Sequence, residues 1–255
     1  MMSIIPETLK NNIITEWEHG FHEGASIRKR NGKYYMVYTD VARGRATCLS
    51  YAMADAPLGP YKKCGVIIDN VYCDPASWNN HGSIAEFNGQ WYVFYHRSSQ
   101  KKMTCRRVCA EPIFFDENGY ISEVKQTSQG ASAPFDAAKP IPARSACRMM
   151  RNTAVNIENG KEMLFSPGGS HWVSPDWAEY KYIDFGDVGF SKFSIKFKGK
   201  GTISVKLEDN HTVCSIELDN AELSYSSTDM EKVTGIHTVY LSLDGEFTIE
   251  EFFFE

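Results

Sequence analysis

Apolar and polar residues alternate in short runs along most of the chain, and the runs are rich in aromatic and β-branched side chains. Tyr34-Tyr35-Met36-Val37-Tyr38, Trp91-Tyr92-Val93-Phe94-Tyr95, Phe193-Ser194-Ile195-Lys196-Phe197 and Ile203-Ser204-Val205-Lys206-Leu207 carry the pattern. A period of two puts successive side chains on opposite faces, so these runs predict strands. Turn signals separate them: Asn31-Gly32, Asn88-Gly89, Asn118-Gly119 and Asp244-Gly245. No long stretch has the 3.6-residue apolar period of a helix, so helix is expected for a turn or two at most. The prediction is an all-β chain.

The pattern also repeats. Ala25 to Tyr38 overlays Gly82 to Tyr95 without a gap, Ile27 falling on Ile84, and Thr47-Cys48 then falls on Thr104-Cys105. Each copy reads as a strand, an Asn-Gly hairpin, an aromatic strand and two more strands. The third and fourth are Ala46 to Ala52 and Lys62 to Ile68 in the first copy, and Met103 to Ala110 and Tyr120 to Lys125 in the second. A repeat of roughly 40–60 residues built of four strands is the signature of a β-propeller blade. Two similar hairpins in an unrelated β fold are the other reading. Propellers need about four blades or more, and this chain carries two, with room for one extra strand before Glu23.

The remainder has its own texture. Ala131 to Ala146, containing Pro134, Pro140 and Pro142, reads as a linker. From Cys147 onward short strands recur with polar turns, the spacing of a small β-sandwich, and Phe247 to Phe254 alternates like a closing strand. The expected division is residues 1–130, a linker over 131–146, and a sandwich over 147–255.

Composition narrows the function classes. The chain has 255 residues, a formal charge of −5, 42% hydrophobic and 23% charged residues, which fits a globular protein. Mild acidity without a long Lys/Arg block argues against nucleic acid as the partner, and no apolar run approaches the roughly 20 residues of a membrane span. The first residues lack the basic-then-apolar layout of a signal peptide. The seven cysteines are scattered without paired CxxC hooks, which disfavours zinc and favours reduced thiols and a cytoplasmic setting.

Several segments resemble a known family. Phe21-His22-Glu23-Gly24-Ala25-Ser26-Ile27-Arg28-Lys29, Asn79-Asn80-His81-Gly82-Ser83-Ile84, Gln90 to Arg97, Cys109-Ala110-Glu111-Pro112-Ile113 and Gln126 to Gly130 occur in order and at the spacing of glycoside hydrolase family 43. They resemble its branch of β-xylosidases and α-L-arabinofuranosidases. Residues 147–255 more loosely resemble a carbohydrate-binding module of the family 6 type, through Lys181 to Gly186 and Val233 to Leu241. The resemblance implies a partial five-bladed β-propeller of about two blades followed by a β-sandwich. It implies inverting hydrolysis of pentose-containing plant polysaccharides or oligosaccharides.

Such hydrolysis uses three carboxylates: an Asp base, an Asp that tunes the acid, and a Glu acid. Inversion needs the acid and the base on opposite faces of the sugar, roughly 6.5–9.5 Å apart. By resemblance Glu23 is the general acid; on spacing alone it is a surface carboxylate beside a turn. Both aspartates are expected upstream of Met1, and Asp40 and Asp74 do not match their positions. The chain alone is therefore expected to be inactive, with a non-catalytic carbohydrate-binding or scaffold protein as the alternative.

His81 aligns with a histidine near the propeller axis, often beside a metal ion; read alone, it caps the strand beginning at Ser83. No cofactor is required by this reading. An ion at His81 would be calcium, held mainly by water and carbonyls. Arg106 matches an arginine facing the sugar, and read alone is half of a solvated pair with Arg107. Tyr34, Tyr35, Trp91, Tyr92 and Phe94 are expected in the blade core. Trp172 and Trp177 lie in a polar stretch, where they either stack on a sugar ring or plug one end of the sandwich. Relatives of the module carry a Trp shortly before Val233; Asp229-Met230-Glu231-Lys232 stands there instead. The expected partner is an oligosaccharide or polysaccharide, and the open edges of the first blade invite self-association.

Overall fold

The computed structural model describes residues 6, 9, 13–73, 79–150, 152–168 and 175–255. It forms two compact units. One comprises Met1–Val71, Trp78–Arg97 and Val108–Gln126, the other Tyr72–Ser77, Ser98–Arg107 and Thr127–Glu255.

The first unit opens with a four-residue helix, α1 (Glu16–His19). The Thr15 side chain accepts from the Glu18 N–H at 3.1 Å, and Gly20, at φ 71°, ends the turn. Strands β1 (Phe21–Arg30), β2 (Lys33–Asp40), β3 (Cys48–Ala54) and β4 (Lys62–Asp69) then form a four-stranded antiparallel meander. Strands β5 (Ser83–Phe87), β6 (Gln90–Ser99) and β7 (Lys102–Ile113) form a three-stranded sheet. The repeat seen in the sequence recurs in the backbone. Asn31 and Gly32 sit at φ 47° and 81°, Asn88 and Gly89 at φ 50° and 80°. That double positive φ is why Asn-Gly closes both hairpins.

Strand β2 is buried on both faces. Tyr35 and Val37 join Leu49, Tyr51 and Ile67 against Ile84, Val93 and Tyr95 of the second sheet. Met36 and Tyr38 pack on the other side with Ala52, Tyr61 and the partly buried Ile13, Ile14 and Phe21. Of the expected core aromatics, Tyr35 is buried and Trp91 and Tyr34 pack partly buried against these clusters. Phe94 is exposed, beside a half-buried Tyr92.

Two expectations need correction. Tyr120 to Lys125 is not a fourth strand of the second sheet. It makes one bridge, Phe115 to Ile121, while the Val124 N–H donates to the Ile67 carbonyl at 2.8 Å. Local side chains divert it. The Asp116 carboxylate takes the N–H groups of Asn118 and Tyr120, and the Tyr51 hydroxyl takes that of Ile121.

The stretch 131–146 is not a free linker either. Strand β8 (Phe135–Asp136) pairs in parallel with β13 (Asp176–Asp184), and β9 (Ile141–Pro142) pairs with β16 (Ile236–Phe254). Ile141 and Ala143 are buried, and the Tyr180 hydroxyl donates to the Ala143 carbonyl at 2.7 Å. Alternating apolar residues among the prolines supply what an edge strand needs, and Pro142 has no N–H to leave unpaired there.

The rest of the second unit is β10 (Arg148–Met150), β11 (Ala154–Glu158), β12 (Lys161–Pro167), β14 (Phe190–Leu207) and β15 (Thr212–Val233), all antiparallel. Its core includes Tyr180, Phe185, Phe193, Phe197, Phe247, Phe252 and Phe254. The long strands β14 and β16 approach closely where glycines face each other. A Cβ on Gly199 would lie 2.0 Å from the Glu246 carbonyl oxygen, and one on Gly245 2.2 Å from that of Lys200, with φ at 125° and 145°. Only glycine admits such an approach.

Candidate active site

Glu23 of β1 and His81 of the loop before β5 meet at 2.9 Å, Oε1 to Nε2. The local sequence explains the meeting. Strand β1 changes register on both sides of Glu23, between Phe21 and Glu23 and between Glu23 and Ser26. Such a bulge re-aims one side chain out of the ladder. Gly24 follows at φ 70°, and a Cβ there would stand 2.6 Å from His81 Cδ2.

The loop carrying His81 is held by buried amides. Asn70 Nδ2 donates to the Asn79 carbonyl at 2.7 Å and to the His96 carbonyl at 2.8 Å. Asn80 Nδ2 donates to the Thr47 carbonyl at 3.0 Å, and the Thr39 hydroxyl donates to the Asn80 carbonyl. Thr39 is itself the cross-strand partner of Glu23. Gly82 lets the loop descend, since a Cβ there would lie 2.1 Å from the Phe94 carbonyl oxygen. The His81 ring rests edge-on to the buried His96 ring at 5.6 Å. Asn-Asn-His-Gly is thus built to aim one imidazole nitrogen at one carboxylate.

The pair is open to solvent, with Glu23 48% and His81 32% exposed at the side chain. A carboxyl here can give a proton to an incoming oxygen, and the imidazole can hold its orientation. Asp40 is a different kind of group. It is fully buried, salt-bridged to Lys63 at 2.7 Å and accepting from the Ala42 N–H at 2.6 Å, a fold-holding ion rather than a base facing a substrate. Asp74 and Trp172 lie outside the described residues. Among the described residues no group of three or more His, Cys, Asp or Glu side chains could hold a metal.

Arg106 is exposed on β7, in the segment Ser98–Arg107 of the second unit, whereas Glu23 and His81 belong to the first. Its neighbour Arg107 is not half of a solvated pair. It donates to the Arg144 carbonyl at 2.9 Å and to the Glu162 carboxylate.

Trp177 is the second residue of β13 rather than part of a loop, and it is half-buried. Its ring stands edge-on to Tyr240, 5.8 Å between centroids and 74° between planes. The two rings line a groove of about 380 Å³ with Lys206, Glu208, Asn210 and Ser242. Tyr240 and Lys206 escaped the sequence reading. Their only sequence signal is the polar half of the strand alternation, opposite the buried Val205, Val239 and Leu241. Burial, and the Glu179 carboxylate bonded to its hydroxyl at 2.7 Å, push the Tyr240 phenol well above its ordinary value.

Residues 2–121 match the model of glycosyl hydrolases family 43. A xylosidase/arabinosidase of Thermoclostridium stercorarium is 31% identical over 261 residues, covering 89% of this chain and 54% of that protein. The chain spans about half the length of this relative and less of the others it matches. A family 43 arabinoxylan arabinofuranohydrolase of Bacillus subtilis, solved with cellotetraose, is similar in fold at TM-score 0.50 and 20% identity, covering 92% of this chain and 54% of that one. A family 6 carbohydrate-binding module overlaps 48% of this chain and 96% of its own, at TM-score 0.42 and 19% identity.

Proposed function

We propose, from the match of residues 2–121 to the model of glycosyl hydrolases family 43, that the chain is part of an inverting glycosidase acting on pentose-containing plant polysaccharides or their oligomers, of the β-xylosidase or α-L-arabinofuranosidase type. Glu23 protonates the leaving oxygen and His81 holds its carboxyl in place. Inversion also needs a carboxylate base on the opposite face of the sugar, and this reading places it outside the described residues. The observation that carries the reading is the 2.9 Å Glu23–His81 pair at the end of a loop fixed by buried amides.

The test compares leaving groups in the complete enzyme. Removing a general acid costs about 10²–10⁴ in rate, and least when the leaving group needs no proton. Glu23→Gln is expected to cripple hydrolysis of xylobiose and spare that of a dinitrophenyl xyloside. Equal loss on both would give Glu23 a shaping role instead.

A second reading has its own observation. The Trp177–Tyr240 corner gives the second unit an aromatic groove of a size to seat a sugar ring. On this reading the second unit binds pentose oligosaccharide without catalysis. Binding of xylohexaose that Trp177→Ala abolishes supports it.

A further inference from the structure

The groove residues Tyr240, Lys206, Trp177 and Ser242 belong to two cross-strand rows on one sheet face. Arg148, Glu179, Tyr240 and Lys206 stand side by side on β10, β13, β16 and β14. Trp177, Ser242 and Ser204 form the next row. A polar sheet face is ordinarily wet, yet the Glu179 side chain is only 1% exposed. Its carboxylate accepts from the Tyr240 hydroxyl at 2.7 Å and pairs with Lys181 at 3.0 Å and Arg148 at 3.5 Å. Arg148 in turn places its guanidinium 5.9 Å from the Trp177 ring centre. One buried carboxylate therefore touches both walls of the corner, Tyr240 directly and Trp177 through Arg148. A buried ion network adds little to stability that well-packed apolar residues could not supply, so its retention beneath an aromatic corner calls for another explanation.

We propose that Glu179 is the positioning residue of this groove, locking Tyr240 and Trp177 edge-on as a two-walled seat for one sugar ring of a pentose oligosaccharide. The inference rests on the reading of the second unit as carbohydrate-binding. With the angle fixed before binding, one ring stacks on the sugar face while the other closes its edge, and no side-chain freedom is lost on association. Lys206, beside Tyr240 in the row, supplies a donor for a sugar hydroxyl.

The test uses the full chain, xylohexaose titrated by calorimetry, and tyrosine labelled with ¹³C at Cζ and followed by NMR against pH. Tyr240 is assigned from the signal missing in Tyr240→Phe. Trp177→Ala is expected to abolish binding. Glu179→Gln is expected to weaken it about tenfold, the worth of one charge-assisted hydrogen bond. It should also lower the Tyr240 titration in part, since the Glu179 bond is lost while the burial that raises it most remains. Tyr240→Phe should weaken binding to a similar degree, and the double variant should be no worse than either single one. Should Glu179→Gln fail to fold, Tyr240→Phe decides, since it breaks the same bond without leaving a charge unpaired. If Trp177→Ala weakens binding while Glu179→Gln and Tyr240→Phe do not, the positioning role is overturned and the groove remains a sugar site. If xylohexaose does not bind, or binds Trp177→Ala equally well, the carbohydrate reading falls and the inference falls with it.

Discussion

Gly24 and His81 fix one another: the imidazole occupies the space where any other residue at position 24 would carry its Cβ, 2.6 Å from Cδ2. Position 24 also sits at φ 70°, which L side chains rarely adopt. Gly24→Ala is expected to cost about 1–3 kcal/mol through backbone strain and contact, and to push His81 off Glu23. Denaturant unfolding measures the first effect, and the imidazole NMR signals of His81 the second. An unchanged unfolding midpoint with unchanged His81 signals would sink the prediction.

Asp40 and Lys63 form the buried ion pair of the first sheet. Asp40 has no exposed surface at all, while Lys63 keeps 32% of its side chain exposed. Lys63→Met leaves a desolvated carboxylate without its cation, and such a loss costs about 3 kcal/mol. Adding Asp40→Asn should recover part of it, because the amide carries no charge to strand. Urea unfolding of the two single variants and the double variant closes the cycle. Additive effects would show that the two side chains act independently.

Glu250 contributes to the pH dependence of the second unit. Lys196 and then Lys161, each at 3.0 Å, hold its carboxyl below the usual carboxylate range. A carboxylate depressed on folding contributes stability above its unfolded pKa and loses it as the pH falls through the folded one. Glu250→Gln is therefore expected to lower stability near neutral pH by about 1 kcal/mol, and the two proteins should converge as the pH is taken down through about 4 towards 2. Thermal unfolding across that range tests it. A gap that persists in acid would assign the loss to packing rather than charge.

Much of this architecture was legible in the sequence, and the reasons differ by element. The Asn-Gly hairpins could be read because both turn residues need positive φ, a local demand. Glu23 and His81 could be named only through motif resemblance. Their contact spans 58 positions and depends on a bulge that no period-two pattern announces. The row Arg148–Glu179–Tyr240 was illegible for a related reason. Glu179 and Tyr240 are 61 positions apart, and alternation tells which face a residue takes but not which strand lies alongside. Composition misled at Ala131–Ala146, where prolines suggest a linker and Phe135 and Ile141 beside them pair with β13 and β16. It misled again at Tyr120 to Lys125, where Asp116 and the Tyr51 hydroxyl intercept the backbone that a strand would use.

Strand β16 pairs with β9, β12, β13 and β14, and its Phe247, Phe252 and Phe254 lie in the middle of the second core. During synthesis, which proceeds at about 5–20 residues per second and lets N-terminal units fold first, the strands before it are made without their shared partner. Lengths of β14 facing water stay unsatisfied until Phe254 has cleared the ribosome. The second unit therefore waits for β16 with the edges of β12, β13 and β14 open, while the last residue of the first unit is Gln126. A chaperone that shields unpaired strands would meet the protein at these edges.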